Sequence, residues 1–191
     1  MTHVNIIGTG NMGQAISAVV SRGGHTAELL GENDTDKPVT GDLVVLAVPY
    51  PAVDQVLAQR AGQFDGKIVI DITNPLDFET FDSLTVSPDS SAAAEIAAKL
   101  PSSQVLKAFN TTFAGTLAQS AVGPLTPTVL VAGDDTDAKA TLIGVVEAGG
   151  LKAIDAGPLK RARELEALGF LQISLAANDK VTWTGGFGII N

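Results

Sequence analysis

Val4-Asn5-Ile6-Ile7-Gly8-Thr9-Gly10-Asn11-Met12-Gly13-Gln14-Ala15-Ile16 is the stretch on which the fold turns. A short apolar run enters Gly8-x-Gly10-x-x-Gly13, and a helical pattern follows at once. Strand, glycine turn and helix in that order are the context that lifts such a motif above chance. Gly8 permits the tight turn, Gly10 lets backbone come close to a pyrophosphate, and Gly13 lets helix pack on strand. The unpaired N–H groups opening that helix, with the positive end of its dipole, suit a pair of phosphates. Beyond the turn, Ala15, Ile16, Val19 and Val20 share one helical face, and Gln14, Ser17 and Ser21 lie elsewhere. The plainer alternative is a glycine-rich bend inside a core. The motif's position near the amino terminus, directly ahead of a helix, favours dinucleotide binding.

Working outward, 191 residues with 45% hydrophobic content suit one α/β domain with a sizeable core, residues 1–191. The last part, 156–191, reads as a helix and tail that could serve a dimer. A net charge of −9 argues against nucleic acid or an anionic membrane as the main partner, since both select a basic footprint. The chain has no cysteine, which removes disulfides, thiolate catalysis and Cys-based metal sites together. Met1-Thr2-His3-Val4 does not read as a signal peptide, and no apolar run nears the ~20 residues of a membrane span. A cytoplasmic protein is expected.

A second strand is expected over Thr26 to Leu30, then a polar stretch Glu32-Asn33-Asp34-Thr35-Asp36-Lys37-Pro38, then the apolar run Leu43 to Val48 of a strand buried on both faces. A standard nucleotide-binding half places a helix and another strand between these two. Only Glu32 to Thr40 is available. The expectation is therefore an α/β, Rossmann-type, doubly wound, mostly parallel sheet lacking the helix and edge strand after strand 2, with an open adenosine end. Further strands are expected at Lys67 to Asp71, Gln104 to Phe109, Thr128 to Ala132 and Leu151 to Asp155. Helices are expected at Ala52 to Gln59, Ser91 to Leu100, Asp137 to Ala148 and Leu159 to Ala177. Asp77 to Asp89 reads as either a lid or a surface loop. Trp183 to Ile190 reads as a last strand or a docking arm.

Ligands of open parallel sheets collect at the carboxyl ends of strands where strand order reverses. That rim comprises Gly8 to Met12, Val48 to Tyr50, Thr73 to Pro75 and Asn110 to Thr112. It supplies amides, hydroxyls and prolines, but no His, no paired carboxylates and no lysine beyond Lys107. His3 and His25 fall at strand beginnings, away from it. No metal site is expected, and no residue stands out as catalytic. Reducing a ketone needs a proton donor at the developing alkoxide. Hydride exchange between a nicotinamide and a flavin-like ring mainly needs two rings held close. The inventory suits the second task. Tyr50 could be an acid, but after a proline it reads more readily as a pocket wall.

Several segments occur here in an order that carries a family resemblance: the Gly8–Gly13 turn, Ala47-Val48-Pro49, Asp71-Ile72-Thr73-Asn74-Pro75, Val105 to Thr111, Asp155 to Leu159 and Arg161 to Leu168. Together they resemble the NADP-dependent oxidoreductases of the coenzyme F-420 (deazaflavin) type, over nearly the whole chain. The resemblance implies that Thr9, Asn11 and Met12 wrap the pyrophosphate, that Val48 and Pro49 line the nucleotide, and that Asn74, Asn110 and Thr111 face the nicotinamide. For Asn74 and Asn110, loop-fixing side-chain bonds are the competing role. It also implies NADP, a deazaflavin or flavin as second substrate, and a homodimer. The chain departs from the family where a Ser-Arg pair grips the ribose 2′-phosphate. Glu32-Asn33 stands there instead, and a carboxylate suits the free diol of NAD. Asn33, Thr35 or Lys37 could replace the lost contacts. Two other functions stay open at this stage: an NAD(P)-dependent reductase of a small carbonyl or imine, and a non-catalytic NAD(P) sensor.

Overall fold

The computed structural model describes residues 1–190. Its strands are β1 (His3–Ile7), β2 (Thr26–Leu30), β3 (Leu43–Leu46), β4 (Ile68–Asp71), β5 (Gln104–Lys107), β6 (Thr128–Gly133) and β7 (Lys152–Gly157). They form one seven-stranded sheet in the order β2-β1-β3-β4-β5-β6-β7. Every pairing is parallel except β5 with β6. The helices are α1 (Asn11–Arg22), α2 (Val53–Gln59), α3 (Ala92–Lys99), α4 (Ala114–Gln119), α5 (Thr136–Ala148) and α6 (Ala162–Ala177).

Side-chain alternation along the central strands splits the core into two layers. Val45, Ile70 and Leu106 face Ile16 and Val19 of α1 and Val145 of α5. Val44, Val69 and Val105 face Val53 of α2 and Ile96 of α3. All four residues of β3 are buried, which is why its sequence is an unbroken apolar run. The chain reverses direction across the sheet between β1 and β3, so the strand-order switch falls at the ends of Ile7 and Leu46.

The edge of the sheet is β2, with neither helix nor strand between it and β3, as the short polar stretch implied. What replaces them is a loop braced from below. Buried Arg60 donates to the carbonyls of Lys37 and Asp34, both at 2.8 Å, and Asp34 accepts from the Gly31 N–H at 2.8 Å.

Three details differ from the sequence reading. A short helix, α4, follows β5; its six residues are too few for a periodic signal. A 3-10 turn at Leu159–Arg161 precedes α6, which starts at Ala162. Trp183 to Ile190 forms no strand: its glycines Gly185, Gly186 and Gly188 leave it irregular, and it lies back against its own chain. The helix α6 packs deeply, burying Leu165, Gly169, Ile173 and Ala176.

Candidate functional site

The three motif glycines do different work. At Gly8, with φ +122°, an added Cβ would overlap the Ala47 carbonyl oxygen, so the glycine lets β1 and β3 close at the switch point. A Cβ on Gly13 would overlap the Gly8 carbonyl, so that position sets how tightly α1 sits on its strand. A Cβ on Gly10 would meet nothing within 4 Å. Gly10 therefore opens space rather than closing it. It is also the N-cap of α1, in extended conformation and with no side chain capping the helix. The first-turn amides of α1 are left for an outside acceptor, as a phosphate site requires.

Two hollows meet at Gly10, Ala47, Val48 and Pro49. The first, about 360 Å³, runs over Gly8 and Thr9 to Gly31, Glu32 and Thr35, with Gln55, Gln59 and Arg60 beneath. Asn33 is exposed and lies outside this lining. The second hollow, about 640 Å³, gathers distant segments. Asn11 and Met12 come from the glycine turn and Tyr50 from the turn after β3. Thr73 and Asn74 follow β4, Asn110 and Thr112 follow β5, and Phe113 to Gly115 open α4. Phe78, Ile173 of α6, Trp183 and Thr184 complete the wall, and no charged side chain is among the lining residues. Thr111 stands behind it, beside Gln172 and Gly186.

Asn74 and Asn110 are joined to each other. Asn74 Nδ2 donates to the Asn110 carbonyl at 2.9 Å, and Asn110 Nδ2 donates to Asn74 Oδ1 at 2.9 Å and to the Leu165 carbonyl at 2.8 Å. Gly169 makes this possible, since a Cβ there would overlap Asn74 Oδ1. These bonds fix two loops to α6. Asn110 Oδ1 and, beside this network, Thr73 Oγ1 stay buried without a partner, two polar atoms on residues that line the larger hollow. Unpaired buried polar atoms are costly, so an occupant offering a donor and an acceptor would be favoured here.

Directly behind this wall lies a buried ion cluster. Lys107 Nζ is 2.8 Å from both Asp71 Oδ2 and Glu166 Oε1, and donates to the Thr73 carbonyl at 2.6 Å. Glu166 also accepts from the N–H groups of Ala92 (2.9 Å) and Ala93 (3.3 Å) at the start of α3. Burial pushes the Glu166 carboxyl above its ordinary value, and Lys107 pulls against that shift. Sequence reasoning noticed Lys107 only as a lone lysine and missed Glu166. The available signal was a lysine at the end of an otherwise apolar central strand, which cannot stay charged there without carboxylate partners.

Tyr50 donates its hydroxyl to Glu95, and its pKa is raised by burial first and by that carboxylate second. A phenol held this way is a poor acid, and the ring serves as wall. His25 Nδ1 accepts from the Thr2 N–H and His3 lies by Glu28 and Thr40, all remote from the hollows. Among the described residues there is no group of three His, Cys, Asp or Glu placed to hold a metal ion.

Asp77 to Asp89 is closed by a bridge between Leu76 and Leu84, and Ser174 Oγ on α6 donates to the Phe81 carbonyl at 3.1 Å. The final segment straps over α4. Trp183 lies 5.0 Å from the Phe113 ring at 55°, and Thr116 Oγ1 donates to the Gly185 carbonyl at 2.6 Å. Gly115 allows the approach, since a Cβ there would come within 2.8 Å of Thr184.

Known proteins share both sequence and fold with this chain. Residues 31–75 match the family model described as NADP oxidoreductase, coenzyme F420-dependent. The F420-dependent NADP reductase of Methanocaldococcus jannaschii is 31% identical over 171 residues, which span 87% of this chain and 76% of that protein. The enzyme of the same name from Methanothermobacter thermautotrophicus is 33% identical over 161 residues, 81% of this chain and 69% of that one. A solved structure from Arthrobacter sp. FB24, provisionally an F420-dependent NADP reductase, superposes with a TM-score of 0.87 over all of both chains at 24% identity.

Proposed function

The chain belongs to the F420-dependent NADP oxidoreductases, and from that membership we propose that it passes hydride between NADP(H) and a deazaflavin or flavin ring. The observation that carries the proposal is the larger hollow: uncharged, partly aromatic, and continuous with the glycine turn. The residues fit a dinucleotide. Gly10 leaves open space where a pyrophosphate would lie, and the uncapped amides of α1 supply donors. Thr9, Asn11, Met12 and Gly13 complete that cradle, and Val48 and Pro49 floor the joint between the hollows. Thr35 lines the ribose end, where Asn33 would have to turn inward to take part. Thr73 Oγ1 and Asn110 Oδ1 are the unpaired atoms available to a carboxamide. Asn74 holds Asn110 in place, and Thr111 supports the wall from behind.

When bound, NADPH supplies the hydride. The chain's part is to hold two flat rings face to face and keep water from between them, a positioning task that needs no proton donor. The Tyr50 hydroxyl is committed to Glu95, which fits that division of labour. Stopped-flow mixing of NADPH-loaded protein with deazaflavin and flavin acceptors tests the proposal. Oxidation of NADPH by at least one such ring is expected, and Tyr50→Phe should change the rate less than about threefold, against the 10²–10⁴-fold typical of a lost general acid. No oxidation by any ring would overturn it and leave the reductase of a small carbonyl or imine and the nucleotide sensor.

We further propose that residues 1–191 act as one dinucleotide-binding domain in the cytoplasm, and that 156–191 joins two copies into a homodimer. Exposed Leu171, Phe187 and Ile190 support the dimer. Among the described residues no helix is long and apolar enough to cross a membrane.

A further inference from the structure

We infer that Glu166 is a positioning residue that acts through charge: with Asp71 it outnumbers Lys107 and leaves a buried net negative charge behind the nicotinamide end of the larger hollow, which favours the oxidised, cationic ring over the reduced, neutral one. The inference rests on the hydride-transfer reading above and adds to it a residue that does not line the hollow. The charge count follows from the contacts. Lys107 Nζ has three oxygens around it, Asp71 Oδ2 and Glu166 Oε1 at 2.8 Å and the Thr73 carbonyl at 2.6 Å, which matches the three hydrogens of an ammonium. Glu166 receives only donors, Lys107 and the N–H groups of Ala92 and Ala93, and Asp71 likewise receives Lys107 and the Thr73 N–H. Carboxylates are acceptors alone, so both acids are in the form their partners demand. One cation therefore faces two anions, and all three side chains are sealed from solvent. The partial positive charge at the start of α3, about half a unit, offsets only part of the excess.

The cluster reaches the hollow at two lining residues. Both backbone polar groups of Thr73 are tied to it, the N–H to Asp71 at 2.8 Å and the carbonyl to Lys107. On the other flank, Asn110 Nδ2 donates at 2.8 Å to the carbonyl of Leu165, the residue before Glu166. These are the two residues whose unpaired oxygens suit the carboxamide. Hydride transfer breaks a C–H bond on the nicotinamide and forms one on the acceptor ring, carrying two electrons with the hydrogen. The nicotinamide thereby passes from neutral to one positive charge. No charged side chain lines the hollow, so nothing there offsets the field of the cluster behind it. Glu166 thus adds driving force for the step without touching either ring. A brace with no such role would hold both coenzyme forms equally well, because it fixes the wall whatever the charge on the ring.

The ratio of NADP⁺ to NADPH affinity separates these roles, since loosening of the wall weakens both forms and cancels. Calorimetry at about pH 8, above the ordinary carboxylate range, supplies it. Glu166→Gln removes the charge, and the ratio should fall about tenfold, the effect of a unit charge roughly 10 Å away at an effective dielectric of about 20. That fall equals a rise of about 30 mV in the potential of the bound two-electron couple. Glu166→Asp keeps the charge and should hold the ratio within about twofold of wild type. Asp71→Asn removes the other carboxylate and should lower the ratio in the same sense, so the test survives if Glu166→Gln does not fold. The shift should be the same at about 20 mM and about 0.5 M salt, because buried charge is little screened. An unchanged ratio in a folded, neutralised variant overturns the inference, as does a shift toward NADP⁺ or one that vanishes in high salt. Stopped-flow mixing of the wild type with deazaflavin and flavin rings keeps the two levels apart. Hydride transfer by a wild type whose variants hold its ratio sinks only the inference, and transfer to no ring sinks the reading beneath it as well.

Discussion

The two hollows of the cleft are built on opposite plans. Everything that lines the ribose side lies between Ile7 and Arg60, on the ends of three strands (β1, β2 and β3) and on and beside helix α2. The ring side draws on segments from Gly10 to Thr184, and its far wall exists only because α6 and the strap fold back over the sheet. Their electrostatics differ too. Glu32 and Arg60 put charge into the ribose side, whereas the ring side is neutral and its charges are sealed behind it in the Lys107 cluster. Local sequence makes a phosphate site; long-range packing makes a site for a second ring.

Breaking the cluster should produce the largest effect. Lys107→Met leaves the Asp71 and Glu166 carboxylates buried without their cation, and stripping one partner from such a cluster costs about 3–5 kcal/mol. Urea denaturation measures the loss. If the ring side depends on this cluster and the ribose side does not, surviving protein should bind NADP but transfer hydride slowly. Equal loss of both would erase the distinction between the halves. The halves should also answer to pH with opposite signs. Glu166 is raised in the folded state, so the folded chain holds extra proton there, and its contribution to stability falls as pH climbs from the ordinary carboxylate range through the raised value. Asp34, in the ribose loop, is lowered by its Lys37 hydrogen bond and then the Gly31 N–H. Its contribution is present above the ordinary aspartate value and disappears as pH drops through the lowered one. Residue-resolved amide exchange across pH 3 to 8 (roughly the range in which carboxylates titrate) would show whether the start of α3, held by Glu166, and the ribose loop, held by Asp34, loosen in opposite directions.

The next effect in size falls on the joint. Gly10→Val places a branched side chain in the open space where the pyrophosphate would lie, and no protein atom stands within 4 Å to be disturbed. Affinity for NADP should drop by about a hundredfold or more, on the order of 2.7 kcal/mol, with the denaturation midpoint nearly unchanged. Gly8→Ala would fail this separation, because its Cβ meets the Ala47 carbonyl and its φ is positive. A Gly10→Val protein that binds NADP normally would move the dinucleotide elsewhere and remove the basis for pairing the hollows.

The same contrast explains what the sequence could disclose. The glycine turn, the buried run Leu43 to Leu46 and the gap after Leu30 are local facts, and the doubly wound, mostly parallel sheet with its missing element after β2 followed from them. Thr9, Asn11, Met12, Val48 and Pro49 sit at the strand ends where the switch-point rule sends a ligand, and the structure gathers them there. Asn74 and Asn110 also arrive at the site, but their bonds to one another and to Leu165 make them as much braces as ligands. Glu166, Phe113 and Trp183 were hidden for a physical reason. Each matters through a partner more than twenty residues away, and nothing in their immediate sequence marks the pairing. Arg60 is the milder case: it falls one residue beyond the helix expected over Ala52 to Gln59 and nothing in that stretch singles it out, yet its guanidinium holds up the ribose loop.

The smallest expected effect concerns coenzyme choice, where the ribose side carries its own conflict. Glu32 is exposed and lines the hollow into which a 2′-phosphate would project. A carboxylate and a doubly charged phosphate repel, but in water at ordinary salt the repulsion between exposed charges is heavily screened. Arg60 beneath the loop opposes it, with both terminal nitrogens already spent on the Lys37 and Asp34 carbonyls. The balance is a modest handicap for NADP, not an exclusion. Glu32→Gln should therefore raise the ratio of NADP to NAD affinity by about threefold in competitive calorimetry, with NAD affinity nearly constant. A rise of a hundredfold would mean that Glu32 dictates the coenzyme and that the loop has no compensating contact. No rise would mean that the phosphate leaves the hollow on the Thr35 side, out of reach of Glu32, and the open edge left by the missing strand would be the feature that permits it.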